Sequence, residues 1–243
     1  MAQIRIDKFL ANAGLGTRSE IKNHIKKGFV YLNDIRVTKS DTHIDPAIDI
    51  VRLGDQVIQM DTLVYYILNK PAGYVSATKD NTAPTVLSLI NSKRNDLFPV
   101  GRLDKDTEGL LLITNDGALS HRLLSPRHHV DKTYFAIVEG EVTQEDIRLF
   151  SEGLHIGDDD FTDALPAQLT IDKPYNKNEN VSYVQITIQE GKFHQIKRMF
   201  QAVNKKVIYL KRISFGDLVL PDDLELGHYR ELTKQELLIL QQH

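Results

Sequence analysis

Residues 101–113 read Gly-Arg-Leu-Asp-Lys-Asp-Thr-Glu-Gly-Leu-Leu-Leu-Ile, a charged loop that leads directly into an apolar segment. The apolar residues predict a buried strand, and the two glycines predict tight backbone turns around the charged residues. Asp104 follows Arg102 by two residues, so a carboxylate is expected beside a fixed positive charge. A nearby cation keeps a carboxylate ionised in a dry pocket, and an ionised carboxylate can serve as a nucleophile. This loop is therefore the first candidate for a catalytic site.

Two simpler interpretations of the loop compete with catalysis. Oxygen-bearing side chains at positions 104, 106 and 108, followed by Gly109, resemble the start of a calcium loop. The glutamate that completes such a loop would fall at position 115, which is Asn115, so a calcium site is disfavoured. The second interpretation is a plain acidic turn in which Arg102 forms a surface ion pair of little energetic worth. The pattern alone supports this acidic turn and the catalytic interpretation equally.

The loop also resembles the signature of the pseudouridine synthases, with Gly101, Arg102, Asp104, Thr107 and Gly109 in place. Three further blocks agree with that family and follow its order along the chain. Residues 69–76 (Asn-Lys-Pro-Ala-Gly-Tyr-Val-Ser) resemble its first motif, and residues 132–134 (Lys-Thr-Tyr) its tyrosine-bearing strand. Residues 190–200 (Glu-Gly-Lys-Phe-His-Gln-Ile-Lys-Arg-Met-Phe) resemble its third motif. The residues of that last block are most similar to those of the RsuA-type branch, which modifies small-subunit ribosomal RNA.

The resemblance implies an isomerase that needs no cofactor and no metal. Its implied catalytic residues are Asp104, Tyr134, Lys197 and Arg102. Asp104 acts on the ribose, either by attacking the sugar carbon or by removing a neighbouring proton, and the sequence leaves both routes open. Tyr134 stacks on the detached uracil, Arg102 reaches the RNA backbone around the extruded nucleotide, and Leu210 packs beneath the base. Lys197 pairs with Asp104, with Arg198 as the alternative because one register slip exchanges them.

The implied substrate is a specific uridine of 16S ribosomal RNA, uridine 516 in the family name, which is converted to pseudouridine. The expected partner is ribosomal RNA, either the free small-subunit RNA or an assembling 30S particle. Related branches modify large-subunit RNA or transfer RNA with much the same catalytic core, so a large-subunit substrate stays open.

Composition predicts a reduced, cytoplasmic protein that does not enter membranes. The 243 residues are 41% hydrophobic and include no cysteine, which excludes disulfides and thiolate metal sites. The N-terminus has no apolar core of the secretory kind. The longest apolar run, residues 63–68, is far shorter than the ~20 residues that a membrane span requires.

Positive charge is confined to two blocks, although the net charge is −3. Residues 1–40 hold eight Lys/Arg and three acids, and residues 192–212 hold seven Lys/Arg and no acid. A charge run is often only a solvated helix face, but these two coincide with the motif blocks. Basic patches on an otherwise acidic protein steer a polyanion to one face. The pattern favours a nucleic-acid partner.

The first basic block predicts a small domain over residues 1–60. Helical periodicity over residues 4–13 is followed by a capping box at Thr17 and Glu20, a helix ending at Gly28, and hairpins around Asn33-Asp34 and residues 53–55. Two helices and small strands with a basic helix face resemble the alpha-L RNA-binding module. The implied RNA-binding residues are Arg18, Lys22, Lys26, Lys27 and Arg36, with Arg198 added from the second block. A short linker is expected at residues 60–62.

The remainder, residues 63–243, predicts a catalytic domain of the α+β class. Strand and helix patterns alternate irregularly, which is typical of a mixed, mostly antiparallel sheet with flanking helices. Taken alone, Tyr134 is more often a core residue, and His194 near a helix start is more often a structural hydrogen-bonding group. His128 and His129 lack the spacing and companions of a metal site, and residues 158–160 indicate a solvated turn.

Two other functions remain open. A glycoside hydrolase would use two carboxylates such as Asp104 and Glu108. It would also need an aromatic-rich cleft, whereas the chain has no tryptophan and 7% aromatic residues. The other alternative is a non-catalytic ribosome-binding protein, in which the second domain only clamps RNA.

Overall fold

The structure, a computed structural model, describes residues 3–46, 48–58, 63–92, 94–157 and 163–242. The chain forms two compact units, Met1–Val64 with Asn91–Leu97, and Tyr65–Ile90 with Phe98–His243. The first unit therefore includes residues 91–97, which the sequence division placed in the second domain. The linker predicted at residues 60–62 and the turn predicted at residues 158–160 lie outside the described residues. Within the described ranges, no helix has the length and apolar character that crossing a membrane requires.

Among its described residues, the first unit contains two helices and six short strands. In chain order these are β1 (Ile4–Arg5), α1 (Ile6–Asn12), α2 (Arg18–Lys27), β2 (Val30–Leu32), β3 (Ile35–Arg36), β4 (His43–Ile44), β5 (Val51–Leu53) and β6 (Gln56–Ile58). Strands β1 and β4 form one pair, and the other four form a sheet in the order β3-β2-β5-β6. Its core is made by the buried side chains Ile6, Phe9, Leu10, Ile21 and Ile25 from the helices with Val30, Val37, Ile44, Val51 and Ile58.

Local signals in the sequence set the ends of α2 and the first hairpin. The Thr17 hydroxyl accepts a hydrogen bond from the Glu20 amide, and the Glu20 carboxylate accepts one from the Thr17 amide, so the predicted capping box is present. Gly28 ends the helix with a φ of +81°. Asn33 and Asp34 both have positive φ, as a two-residue hairpin turn of the primed type requires.

The second unit contains a nine-stranded sheet and four helices in the described residues. In chain order its elements are β7 (Tyr65–Lys70), a 3-10 helix (Val86–Leu89), β8 (Phe98–Val100), β9 (Glu108–Thr114), α3 (Gly117–Leu124), a second 3-10 helix (Pro126–His128), β10 (Lys132–Glu139), α4 (Gln144–Glu152), β11 (Leu154–His155), β12 (Asp163–Ala164), β13 (Gln168–Asn176), β14 (Val181–Ile188), α5 (Gln195–Ala202), β15 (Lys206–Phe215), β16 (Leu218–Val219), β17 (Tyr229–Glu231) and α6 (Lys234–Gln241). The order is β13-β14-β10-β15-β9-β7-β17, with β8 on β9 and β16 on β15. Among the described strands of this sheet, β9 and β15 pair in parallel and the other pairs are antiparallel, so the predicted mixed, mostly antiparallel α+β sheet is confirmed.

Gly109 allows the parallel contact at the centre of this sheet. It pairs with Arg212 of β15 and has a φ of +99°. A Cβ atom at this position would lie 2.2 Å from the Arg212 carbonyl oxygen, so no larger residue fits without moving the backbone. The glycine that ends the charged loop therefore brings β9, and the loop before it, against β15.

Strand β13 was not predicted from the sequence. It is an edge strand, largely exposed, and it contains Pro174 and several polar residues. A proline lacks the amide that a central strand needs, and an exposed strand has no apolar alternation. The sequence signals that identify buried strands are therefore weak in this segment.

Candidate active site

Residues of the 69–76 block hold the backbone of the Asp104 loop in place. The ammonium group of Lys70, which is fully buried, donates to the carbonyl oxygens of Asp104 (3.0 Å) and Thr107 (2.7 Å). The Gly73 amide donates to the Lys105 carbonyl oxygen, at 2.7 Å. The buried Ser76 hydroxyl donates to the Leu103 carbonyl oxygen. The Ser76 hydroxyl oxygen also accepts a hydrogen bond from the Leu103 amide, at 3.0 Å. The first motif thus supplies the frame on which the loop is built.

Burial makes Lys70 an unusual cation. Burial lowers its pKa to about 8, although the charges of Asp106, Glu108 and Asp104 oppose that shift. The ammonium group makes its hydrogen bonds to backbone carbonyl oxygens of the loop and of Pro71. From the sequence, Lys70 was predicted only as part of a motif. The sequence signal that could have identified its role is a lysine at the end of a predicted strand that is otherwise mostly apolar.

Lys197 joins the loop to helix α5. Its Nζ atom lies 3.2 Å from Oδ2 of Asp104 and 2.6 Å from Oδ1 of Asp106. About a quarter of the Asp104 and Lys197 side-chain surfaces is exposed, whereas Asp106 is largely in solvent. The ion pair expected between Asp104 and Lys197 is present, and Arg198 instead points to the Phe193 carbonyl oxygen, at 3.5 Å.

The charges of this cluster stabilise one another. Burial opposes the charge of Lys197, but hydrogen bonds and attraction from Asp106 and Asp104 hold its pKa above the ordinary value. Burial likewise acts to raise the pKa of Asp106, but the hydrogen bond and charge of Lys197 lower it. Lys197 is therefore a permanent cation beside Asp104 at neutral pH, which is the environment that favours an ionised carboxylate.

A pocket opens above Asp104 at the middle of the sheet. Its lining includes Arg102, Asp104, Tyr134, Lys197 and Leu210. Tyr134 comes from β10 and Leu210 from the neighbouring β15, where Leu210 pairs with Ala136. Tyr134 is 7% exposed, and Leu210 is buried as well. The pocket thus combines one carboxylate, an aromatic face, an apolar floor and three cations, of which the third is Lys192.

Glu108 is not part of this pocket. Its carboxylate accepts a hydrogen bond from the Tyr209 hydroxyl at 2.7 Å. Asp104 is the one carboxylate among the described residues that line the pocket. A glycoside hydrolase requires a second carboxyl group across the cleft, so the geometry disfavours that alternative. The described residues also contain no cluster of histidine and acidic side chains that could hold a metal ion.

His194 is a further residue of the pocket. It precedes α5 with a φ of +48° and makes no capping hydrogen bond with its side chain. Its ring lines the pocket, with Nε2 3.7 Å from Oδ1 of Asp104. His194 therefore does not cap α5 with its side chain, and its ring lies beside the Asp104 carboxylate.

Several basic residues of the first unit lie on its surface. Those expected to bind RNA are all exposed, and they are Arg18, Lys22, Lys26, Lys27 and Arg36. The Arg36 guanidinium group lies against Gly28, where a Cβ atom would come within 1.9 Å of its Nη2. Gly28 thus brings Arg36 to the end of α2 that carries Lys26 and Lys27.

Comparison with known proteins agrees with this geometry. A family model described as RNA pseudouridylate synthase matches residues 64–202, which contain Asp104, Tyr134 and Lys197. The chain belongs to the RNA pseudouridylate synthase family. It is accordingly a pseudouridine synthase, an isomerase. The S4 domain model matches residues 4–47, which confirms an N-terminal RNA-binding module of that kind in this pseudouridine synthase.

Similarity extends over nearly the whole synthase. The uncharacterized RNA pseudouridine synthase YtzG of Bacillus subtilis is 41% identical, over 98% of each chain. Ribosomal small subunit pseudouridine synthase A of Escherichia coli (strain K12) is 37% identical, over 96% of this chain and 98% of that protein. A crystal structure of a pseudouridylate synthase, 35% identical, matches with a TM-score of 0.68 over 98% of this chain and 99% of that one.

Proposed function

We propose that this synthase converts a specific uridine of small-subunit ribosomal RNA to pseudouridine, with Asp104 as the nucleophile. The observation that carries the chemistry is the carboxylate of Asp104 in a pocket, 3.2 Å from the ammonium group of Lys197 and beside Tyr134. A ribosome-binding protein without catalysis would have no use for this arrangement.

In the proposed reaction, an oxygen of Asp104 bonds to C1′ of the ribose as the bond from C1′ to N1 of uracil breaks. The detached uracil turns against Tyr134, and its C5 atom then bonds to C1′ while the bond to Asp104 breaks. The proton on C5 leaves, and N1 gains a proton. The atoms of the substrate and product are the same, so this chemistry consumes no co-reactant.

Each residue around Asp104 has a defined role in this reaction. Lys197 keeps Asp104 ionised, and Tyr134 offers an aromatic face on which a base stacks. Leu210 packs beneath the base. Arg102 is exposed at the pocket and meets the RNA backbone around the extruded nucleotide. A uridine in a stacked helix must leave the stack to reach the carboxylate.

The substrate assignment is supported by the names of relatives. Ribosomal small subunit pseudouridine synthase A of Escherichia coli, and those of Haemophilus influenzae and Yersinia pestis, are 37–38% identical over 96% of this chain. We assign uridine 516 of 16S ribosomal RNA as the target, in the cytoplasm.

Residues 1–60 are proposed to bind the RNA and residues 63–243 to catalyse. Arg18, Lys22, Lys26, Lys27, Arg36 and Arg198 are proposed to contact RNA phosphates, because lysine and arginine on an exposed face neutralise them.

Mapping of pseudouridines in ribosomal RNA tests this proposal. RNA from cells with and without the protein is compared, and the purified enzyme is then added to the unmodified small-subunit RNA and to 30S particles. We expect one pseudouridine of the small-subunit RNA to disappear in the deletion and to return with the enzyme. Loss of a pseudouridine from the large-subunit RNA instead would contradict the substrate assignment and leave the chemistry intact.

A further inference from the structure

Phe193 carries an open aromatic face beside the catalytic pocket. The side chain is 75% exposed. Its ring stacks on the His194 ring, with centroids 3.8 Å apart and planes inclined by 20°. One face of Phe193 is therefore covered by His194, and the other is free to receive a flat partner. Single exposed apolar residues are common, so the stack and its position matter more than the exposure.

The stack begins at the pocket and extends outwards from it. His194 lines the pocket, and its Nε2 atom is 3.7 Å from Oδ1 of Asp104. The Phe193 backbone is tied to α5 through its carbonyl oxygen, which accepts a hydrogen bond from Arg198. Phe193 is thus held one ring beyond a residue that contacts the catalytic carboxylate.

Cationic side chains flank Phe193, and two of them are ion-paired: Lys192 with Glu190, and Lys197 with Asp104 and Asp106. Lys192 precedes it, and Lys197 and Arg198 follow on the first turns of α5. Sites for unpaired nucleic acid combine cations along the backbone with aromatic rings on which bases stack. Both components meet at this point of the surface.

We propose that the exposed face of Phe193 is a stacking platform for the base of a nucleotide adjacent to the target uridine. The inference rests on the proposed function insofar as it takes RNA uridine as the substrate. A uridine that leaves its stack exposes one face of its neighbour, and unstacking costs free energy. Phe193 replaces the lost stacking partner, so it stabilises the extruded state at the mouth of the pocket.

A fluorescent RNA tests the platform without reference to the natural substrate. Seven-nucleotide RNAs with a central uridine carry 2-aminopurine, whose emission is quenched by stacking, at its 5′ or its 3′ side. Wild type is compared with Phe193→Leu, which keeps an apolar side chain without a ring, and with Phe193→Tyr. Leu238→Ala, which alters another exposed apolar side chain on α6, is the matched control.

We expect wild type, Phe193→Tyr and Leu238→Ala to quench 2-aminopurine on one side of the uridine, and Phe193→Leu to lose that quenching. The affinity of Phe193→Leu should fall about tenfold, which is within the range for one stacked base. An RNA with an abasic neighbour should bind wild type and Phe193→Leu equally. Because Phe193 is exposed, the variant is expected to fold, and its melting temperature checks this.

Two results would overturn the platform. One is the absence of quenching on either side of the uridine in wild type, and the other is equal quenching in wild type and Phe193→Leu. Failure of the enzyme to modify small-subunit RNA is a separate outcome. It would contradict the substrate assignment, while the fluorescence still decides whether Phe193 holds a base.

Discussion

The ammonium group of Lys70 donates a 3.0 Å hydrogen bond to the backbone carbonyl oxygen of Asp104, from a position fully buried in the second unit. A single cation thereby fixes the main chain beneath the Asp104 carboxylate. The relationship explains why the first motif and the charged loop occur together, since one is built on the other.

Replacement of Lys70 with methionine should lower the free energy of unfolding by about 2–4 kcal/mol, because it leaves several buried carbonyl oxygens without their donor. Activity should fall as well, because the loop backbone is released. Chemical denaturation and the rate of pseudouridine formation measure the two effects. Lys105→Met, an exposed change in the same loop, should alter stability by less than about 0.5 kcal/mol. Equal stability of the two variants would show that the buried hydrogen bonds of Lys70 are not needed.

Lys197 and Arg198 are adjacent in the sequence but have different neighbours. Lys197→Met should reduce kcat about a hundredfold, the scale for removal of one group that stabilises charge in an active site. Lys197→Arg should recover part of that loss. Arg198→Met should leave kcat within about threefold and raise KM for RNA, because Arg198 does not contact Asp104. Single-turnover kinetics separate these effects, and a larger loss of kcat in Arg198→Met would reverse the assignment.

The contribution of Lys197 to stability should depend on pH only at the extremes. Its pKa is raised, so its contribution is complete below the unfolded value of 10.5 and is lost as the pH rises through the folded value. The pKa of Asp106 is lowered, so its contribution is complete above the unfolded value of 3.8 and is lost as the pH falls through the folded value. The difference in unfolding free energy between wild type and Lys197→Met should be flat from about pH 5 to about pH 9 and shrink outside that range. Denaturation at each pH tests this, and a steep change near pH 7 would contradict it.

The exposed cations of α2 should set the salt dependence of RNA binding. Replacement of Arg18, Lys22 and Lys26 with glutamine should reduce the slope of log affinity against log salt by up to about three, because each phosphate that is no longer neutralised lowers it by about one. A triple change of Lys173, Lys177 and Lys234 in the other unit is the matched control and should leave the slope nearly unchanged. Equal slopes in the two triple variants would argue against α2 as the RNA-binding face.

Those parts of the fold that depend on local chemistry could be predicted from the sequence. The capping box at Thr17 and Glu20 and the turn at Asn33-Asp34 involve residues close together in the chain, so their pattern is readable. The pairing of Asp104 with Lys197 joins distant parts of the chain, and it was expected from a family resemblance rather than from spacing. The position of His194 depends on a left-handed backbone, which periodicity does not reveal. The role of Lys70 depends on burial, which its charge conceals.

The proposed role of Asp104 in the chemistry is tested by the Asp104→Asn variant. Release of tritium from C5 of labelled small-subunit RNA is measured beside RNA affinity, with Asp106→Asn as control because Asp106 also pairs with Lys197. We predict that Asp104→Asn binds RNA as wild type does and loses at least about a thousandfold in tritium release, whereas Asp106→Asn stays within about tenfold of wild type. Tritium release at the wild-type rate from Asp104→Asn would contradict the account.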